Sequence, residues 1–117
     1  MERINTKLKF AVFLMLTFIL SGCGTMPTPP AQIAGFYVPG MKYEQYDCQS
    51  LSIEMSHLER LERQLIIAQQ QRIKNSEMQV AWGSGFHLGD GLEAFELANV
   101  RGEKEAVRRF MAVKGCQ

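Results

Sequence analysis

The most reactive side chains in this sequence are the three thiols, Cys23, Cys48 and Cys116. A thiol can form a thioether, pair in a disulfide, or act as a nucleophile where its surroundings lower its pKa. The segment in which each cysteine lies indicates which of these reactions it undergoes.

Cys23 follows a region with the features of a secretory signal peptide. Basic residues lie near the start, and an unbroken apolar run covers residues 10–20, which is too short for a membrane-spanning helix of about 20 residues. Ser21 and Gly22 are small, so a peptidase can reach the bond before Cys23. The sequence predicts removal of residues 1–22; an ordinary secretory signal and an uncleaved anchor are the alternatives.

The stretch Leu20-Ser21-Gly22-Cys23 resembles the lipobox of bacterial lipoproteins. The resemblance implies that the Cys23 thiol receives a diacylglyceryl group and that acyl chains such as palmitate hold the mature chain in a membrane. One acyl chain binds only reversibly, but lipoprotein anchors carry two or three. Gly24 and Thr25 follow in place of Asp, which resembles the sorting signal for the periplasmic side of the outer membrane.

The charge balance argues against a nucleic-acid partner. Removal of residues 1–22 takes away three of the 13 basic and one of the 12 acidic residues, which leaves a net charge of about −1. Nucleic-acid-binding proteins normally carry a basic face or stripe. We therefore expect membrane contact through lipid and contact with an envelope protein.

Residues 23–46 contain all four prolines of the chain, so the sequence predicts an extended, semi-rigid spacer at their start. The later part is too apolar for a plain spacer. Its large side chains are expected to pack across the following helices, or else to lie against the membrane or a partner; they are Phe36, Tyr37, Val38, Tyr43 and Tyr46.

After the spacer the pattern predicts a mainly α-helical fold with two helices. The first covers about residues 47–75, with Asp47 as N-cap and an apolar stripe formed by Leu51, Met55, Leu58, Leu61, Leu65 and Ala68. The second covers about residues 91–114, with Asp90 and Glu93 as a capping pair and Gly115 at its end. Its predicted stripe is Phe95, Ala98, Gly102, Ala106, Phe110 and Val113.

Small side chains at Ala98, Gly102 and Ala106 predict a notch where the first helix comes close. If the helices fold back as an antiparallel hairpin, Cys48 and Cys116 lie side by side and can form a disulfide. Two unrelated free thiols are the alternative. Because each helix has one apolar stripe, the hairpin is also a candidate for self-association.

Three short motifs resemble a group of small, functionally unassigned bacterial lipoproteins over most of residues 46–117. The motifs are Cys48-x-x-Leu51-x-x-Glu54, Leu97-Ala98-x-x-x-Gly102-Glu103-x-Glu105-Ala106 and Lys114-Gly115-Cys116. The resemblance implies a helical hairpin held by a cysteine pair and implies no known activity. Proteins of the group often have proline in the link between the helices, and this chain has none there.

The predicted link, residues 76–89, is glycine-rich and contains Trp82, Phe86 and Leu88. It is either a mobile turn or a contact loop whose apolar side chains bind a partner or a membrane. Phosphate binding requires a preceding strand and a following lysine, and the sequence offers neither.

His57 and His87 are isolated, and the serines lack a nucleophile elbow, so we expect neither a metal, a cofactor nor catalysis. Two functions fit these observations. One is a structural or adaptor lipoprotein of the cell envelope. The other is a small inhibitor, immunity or exclusion lipoprotein that acts on a periplasmic enzyme or toxin.

Overall fold

The computed structural model describes residues 6–12, 25–83 and 89–117 and is mainly helical, with no β-strand in those ranges. Two long helices pack together: α1 covers Cys48–Ala81 and α2 covers Leu92–Lys114. Single turns of 3₁₀ helix lie before them at Pro30–Gln32 and Met41–Tyr43. Residues 6–12 are also helical.

Helix α1 begins as the sequence predicts and ends later. The Asp47 carboxylate caps it by accepting a hydrogen bond of 2.7 Å from the backbone N–H of Ser50. Leu51, Leu58 and Leu65 are buried at intervals of seven residues, as expected for a helix packed along another helix. The predicted end at residue 75 is wrong: the chain stays helical to Ala81, because no glycine or proline interrupts it before Gly83.

Helix α2 ends at Gly115, which has the left-handed conformation (φ 68°) that favours glycine at this position. Its predicted apolar stripe is only partly correct. Phe95 and Val113 are 60% and 83% exposed, whereas the buried face consists of Ala94, Leu97, Ala98, Val100, Gly102, Ala106 and Val107. This face is wider than one stripe because α2 packs against two partners, α1 and the N-terminal segment.

The N-terminal segment, residues 25–46, is packed along α2, and we call it the strap. It runs from the beginning of α2 to its end: Thr28 binds Asp90, the N–H of Phe36 donates to the carbonyl of Ala98 (2.9 Å), and Glu44 accepts from Lys114. The start of this segment, for which a spacer was predicted, therefore packs on the helices in the described residues. The later part packs as well, which was one of its two predicted environments. The peptide groups of the strap find partners on the helices, so the described part is a third layer of the fold.

Two contacts mark the ends of the pair of packed helices. Cys48 at the beginning of α1 is joined to Cys116 just after α2, and we call this the disulfide end. Near the other end of α1, Arg72 binds Glu93 in the first turn of α2. We call the region where α1 ends and α2 begins the open end. The strap thus begins at the open end and runs along α2 to the disulfide end. Helix α1 then returns to the open end.

Candidate functional site

The structure joins the two cysteines that the sequence pairs. Cys48 and Cys116 form a disulfide with their Cα atoms 5.4 Å apart, although 68 positions separate them in the chain. Cys116 is held in place by its own N–H, which donates to the carbonyl of Met111 (2.9 Å). Lys114 adds a second connection at this end, because its ammonium donates to the carbonyls of Glu44 and Tyr46 in the strap.

At the open end, Asp90 connects the strap, α1 and the beginning of α2. Its carboxylate accepts hydrogen bonds from the N–H of Thr28 (2.6 Å), from the hydroxyl of Thr28 (2.5 Å) and from the side-chain amide of Gln69 (2.8 Å). The same Gln69 amide donates to the carbonyl of Thr28 (2.9 Å). Burial alone would raise the pKa of Asp90, but these hydrogen bonds outweigh it and hold the pKa below its ordinary value.

The predicted capping pair at the beginning of α2 is therefore wrong. The N-cap of α2 is Gly91, and no side chain caps the helix there. Asp90 is used by the strap, and Glu93 binds the guanidinium of Arg72 on α1 at 3.0 Å. The sequence pattern is genuine, but tertiary partners compete for both carboxylates.

The notch of small residues on α2 holds the strap, whereas the sequence predicted a close approach of α1 there. A Cβ on Gly102 would overlap the carbonyl oxygen of Phe36 and lie 3.0 Å from Val38 Cγ2. From the other side, a Cβ on Gly35 would lie 2.9 Å from the backbone nitrogen of Gly102. The two backbones thus approach at a distance that requires glycine on both sides.

Two arginines of α2 fasten the strap on either side of this notch. Arg101 donates to the carbonyls of Pro30 (2.6 Å) and Ile33, and Arg109 donates to the carbonyl of Val38 (2.6 Å). The guanidinium of Arg109 also lies 5.2 Å from the centre of the Tyr37 ring. Their side chains take the place of a strand partner for the backbone of the strap.

Tyr43 anchors the strap near the disulfide end. Its ring is fully buried against Tyr46, and its hydroxyl donates to Glu103 (2.6 Å), which also accepts from Lys42 (2.6 Å). Burial and the neighbouring Glu103 carboxylate raise the pKa of Tyr43. Burial would raise the pKa of Glu103, but its hydrogen bonds from Lys42 and Tyr43 lower it below the usual range. Of the two predicted environments, packing applies to Tyr43 and Tyr46.

A charged cluster between the helices was not identified from the sequence. Glu62 on α1 binds Arg101 (2.8 Å) and Lys104 (2.5 Å) on α2. Burial would raise the pKa of Glu62, but the hydrogen bonds from these two cations outweigh it and lower the pKa. The position of Glu62 could have indicated the cluster. Glu62 lies one turn from each of the buried residues Leu58 and Leu65, on the face of α1 that packs.

The candidate contact loop is only partly within the described residues. Trp82 directly follows α1 and is 87% exposed. Phe86, Leu88 and His87 lie outside the described residues, as does the predicted lipidation site, Cys23.

His57 lies on the exposed face of α1, with Nδ1 3.9 Å from the Glu54 carboxylate. Within residues 6–12, 25–83 and 89–117, the structure brings together no group of three or more metal-ligating side chains. In the same ranges, none of the helices has the length and apolar character needed to span a membrane.

Comparison of the chain with protein-family models, curated proteins and solved structures gives no match.

Proposed function

We propose that this chain is a bacterial lipoprotein, held at the periplasmic side of the outer membrane by acyl chains on Cys23, and that it acts as a noncatalytic structural or adaptor component of the cell envelope. In this proposal the folded part is an antiparallel helical hairpin, closed by the disulfide and covered on α2 by the strap.

The disulfide is the observation that carries the proposal. Disulfides persist in the bacterial periplasm and are rare in the cytosol. The bond between Cys48 and Cys116 closes most of the folded part into one loop, which in the chain-entropy model stabilises the folded state by about 4 kcal/mol. A stabilising disulfide is expected of a small helical protein in an oxidising compartment. The lipobox pattern supports the same location.

The use of the polar side chains supports an adaptor role. Glu62, Asp90 and Glu103 each form hydrogen bonds to residues of another element, so these carboxylates connect the strap and the two helices. Groups that could otherwise take part in acid–base chemistry are thereby used to hold the layers in register.

Intact mass of the protein purified from its native membrane tests the anchor. The proposal expects a chain that begins at residue 23 and carries the added mass of a diacylglyceryl group. A product that retains Met1, or that begins at residue 23 without acyl mass, contradicts it.

Crosslinking in cells tests the adaptor role. Two variants are used: one has a photoreactive residue at position 37, in the exposed part of the strap, and the other has it at position 113 on α2. Each is irradiated, and the crosslinked proteins are identified by mass spectrometry. Tyr37 and Val113 are 81% and 83% exposed, so neither substitution disturbs the core. Capture of a resident envelope assembly component supports the adaptor. Capture of a lytic enzyme or an incoming toxin supports the inhibitor, immunity or exclusion alternative and contradicts the adaptor.

A further inference from the structure

The strap brings the beginning of the mature chain to the open end. The hydroxyl oxygen of Thr25 lies 3.1 Å from the position that a Cβ on Gly89 would occupy, and Thr28 is bound to Asp90. Consecutive Cα atoms are about 3.8 Å apart, so the Cα of Cys23 lies within about 8 Å of the Cα of Thr25. An acyl group on Cys23 therefore has almost no spacer between it and the folded part.

Helix α1 projects beyond this attachment point. Gln69 lies level with Thr28 and Asp90, to which its side chain is hydrogen-bonded, and α1 continues for 12 more residues to Ala81. At 1.5 Å per residue, the projecting part is about 18 Å long. Helix α2 begins at Leu92, and its first turn reaches Arg72 of this part through Glu93. Farther along α1, Ser76 is buried, whereas residues 77–82 are exposed.

One face of the projecting part has the side chains of a membrane interface. Lys74, Met78 and Trp82 follow one another at intervals of four residues and therefore share a face. All three are exposed, and Trp82 most of all. A lysine can reach lipid phosphates while its stem lies on apolar surface, and tryptophan is enriched where the acyl chains meet the headgroups.

We infer that this face, Lys74, Met78 and Trp82, lies on the headgroup layer of the leaflet that holds the acyl chains of Cys23. The inference rests on the proposed function, since it takes its geometry from an anchor at Cys23. A lipid surface is favoured over a protein partner because the short connection to Cys23 places the open end at the bilayer. Met26 and Leu92, two further exposed apolar side chains, lie at the same end.

Trp82 is the only tryptophan of the chain, so its fluorescence reports directly on this contact. The acylated protein is reconstituted in vesicles of phosphatidylethanolamine and phosphatidylglycerol, and emission is recorded with and without lipids brominated close to the headgroup. We expect blue-shifted emission that the brominated lipids quench. The matched control carries Trp82→Phe and Val113→Trp, which moves the tryptophan to an exposed position near the disulfide end; its emission should be water-like and several-fold less quenched.

Two results would overturn the inference. One is water-like emission from Trp82 with no more quenching than in the control. The other is a photoreactive residue at position 82 that labels protein rather than lipid in native membranes, which would make the face a protein-binding site.

A separate arm distinguishes failure of this inference from failure of the proposed function. Intact mass first shows whether Cys23 is acylated. If it is not, the proposed function fails, and the Cys23 thiol is coupled instead to a maleimide lipid in the same vesicles, since Cys48 and Cys116 are oxidised. Quenching of Trp82 in that sample supports the membrane face independently, and its absence rejects it.

Discussion

Replacing Gly102 by alanine tests whether the strap packs on α2 as the structure describes. In an isolated helix this substitution stabilises by up to about 1 kcal/mol, because glycine is a poor helix former. Here the added Cβ would overlap the carbonyl oxygen of Phe36 and crowd Val38. The opposing backbone is not a flexible side-chain end that can rotate away, so the strap or the helix must move.

The size of the effect follows from what that movement breaks. Restoring ordinary contact distances requires a shift of on the order of 1 Å, since carbon atoms prefer separations of about 3.5–4.0 Å. Such a shift disrupts the hydrogen bond from the N–H of Phe36 to the carbonyl of Ala98, and an unpaired buried group costs about 1–3 kcal/mol. Overpacking itself costs about 1–3 kcal/mol. After subtraction of the gain in helix propensity, these ranges leave a loss of about 1–5 kcal/mol in the free energy of unfolding, of which we take about 2–3 kcal/mol as the expected value.

Thermal unfolding followed by circular dichroism at the helix band measures this loss. For a chain of this size, about 2–3 kcal/mol lowers the midpoint by roughly 10–20 °C. Gly35→Ala approaches the same contact from the strap and should also lower the midpoint. Val113→Ala, at an exposed position of the same helix, should change stability by no more than about 0.5 kcal/mol. A midpoint for Gly102→Ala equal to or above that of the unsubstituted protein would refute the packing argument.

Three further predictions concern the disulfide and two carboxylates. Cys48→Ser, or reduction of the disulfide to Cys116, should lower the free energy of unfolding in urea by about 4 kcal/mol, and equal midpoints with and without reductant would contradict this. Because the pKa of Glu62 is lowered in the folded state, its contribution is present above the ordinary value of 4.5 and is lost as pH falls through the lowered pKa. Stability should therefore fall on acidification below about pH 4.5, and Glu62→Gln should be less stable at pH 7 with a shallower acid dependence; parallel pH profiles would argue against the ion pairs. Asp90→Ser retains a good helix-capping residue but loses the carboxylate that binds the strap, so it should lower the melting midpoint, whereas Asp47→Ser should be tolerated because Asp47 is a true N-cap. Equal effects of the two serine substitutions would contradict this and would indicate that Asp90 acts as a helix cap.

The features predictable from the sequence are those that depend on local pattern. The heptad spacing of Leu51, Leu58 and Leu65, the capping by Asp47 and the end of α2 at Gly115 each follow from residues close together in the chain. The pairing of Cys48 with Cys116 followed from the lengths of two such helices.

The features missed are those decided by distant segments. The notch around Gly102 indicated a close approach, but its spacing on a helix cannot say whether a helix or an extended strap occupies it. Asp90 and Glu93 fit a capping pair, yet Thr28 and Arg72 compete for their carboxylates from 62 and 21 residues away. Packing of the later part of the strap was one of two predictions, but the binding of its first part could not be predicted from composition. Prolines that favour a free spacer also allow an extended chain whose carbonyls accept bonds from arginines.

The course of the strap determines how the molecule would carry mechanical load. A force applied between Thr25, at the beginning of the strap, and the disulfide end passes through the strap, whose contacts with α2 resist it in shear. It then reaches Cys48 and its covalent bond to Cys116. The helices stay clipped even if those contacts yield. The 22 residues of the strap, residues 25–46, could then extend to roughly 70 Å at about 3.3 Å per residue. One chain thus contains a short, stiff linkage under low tension and a long, compliant one under high tension.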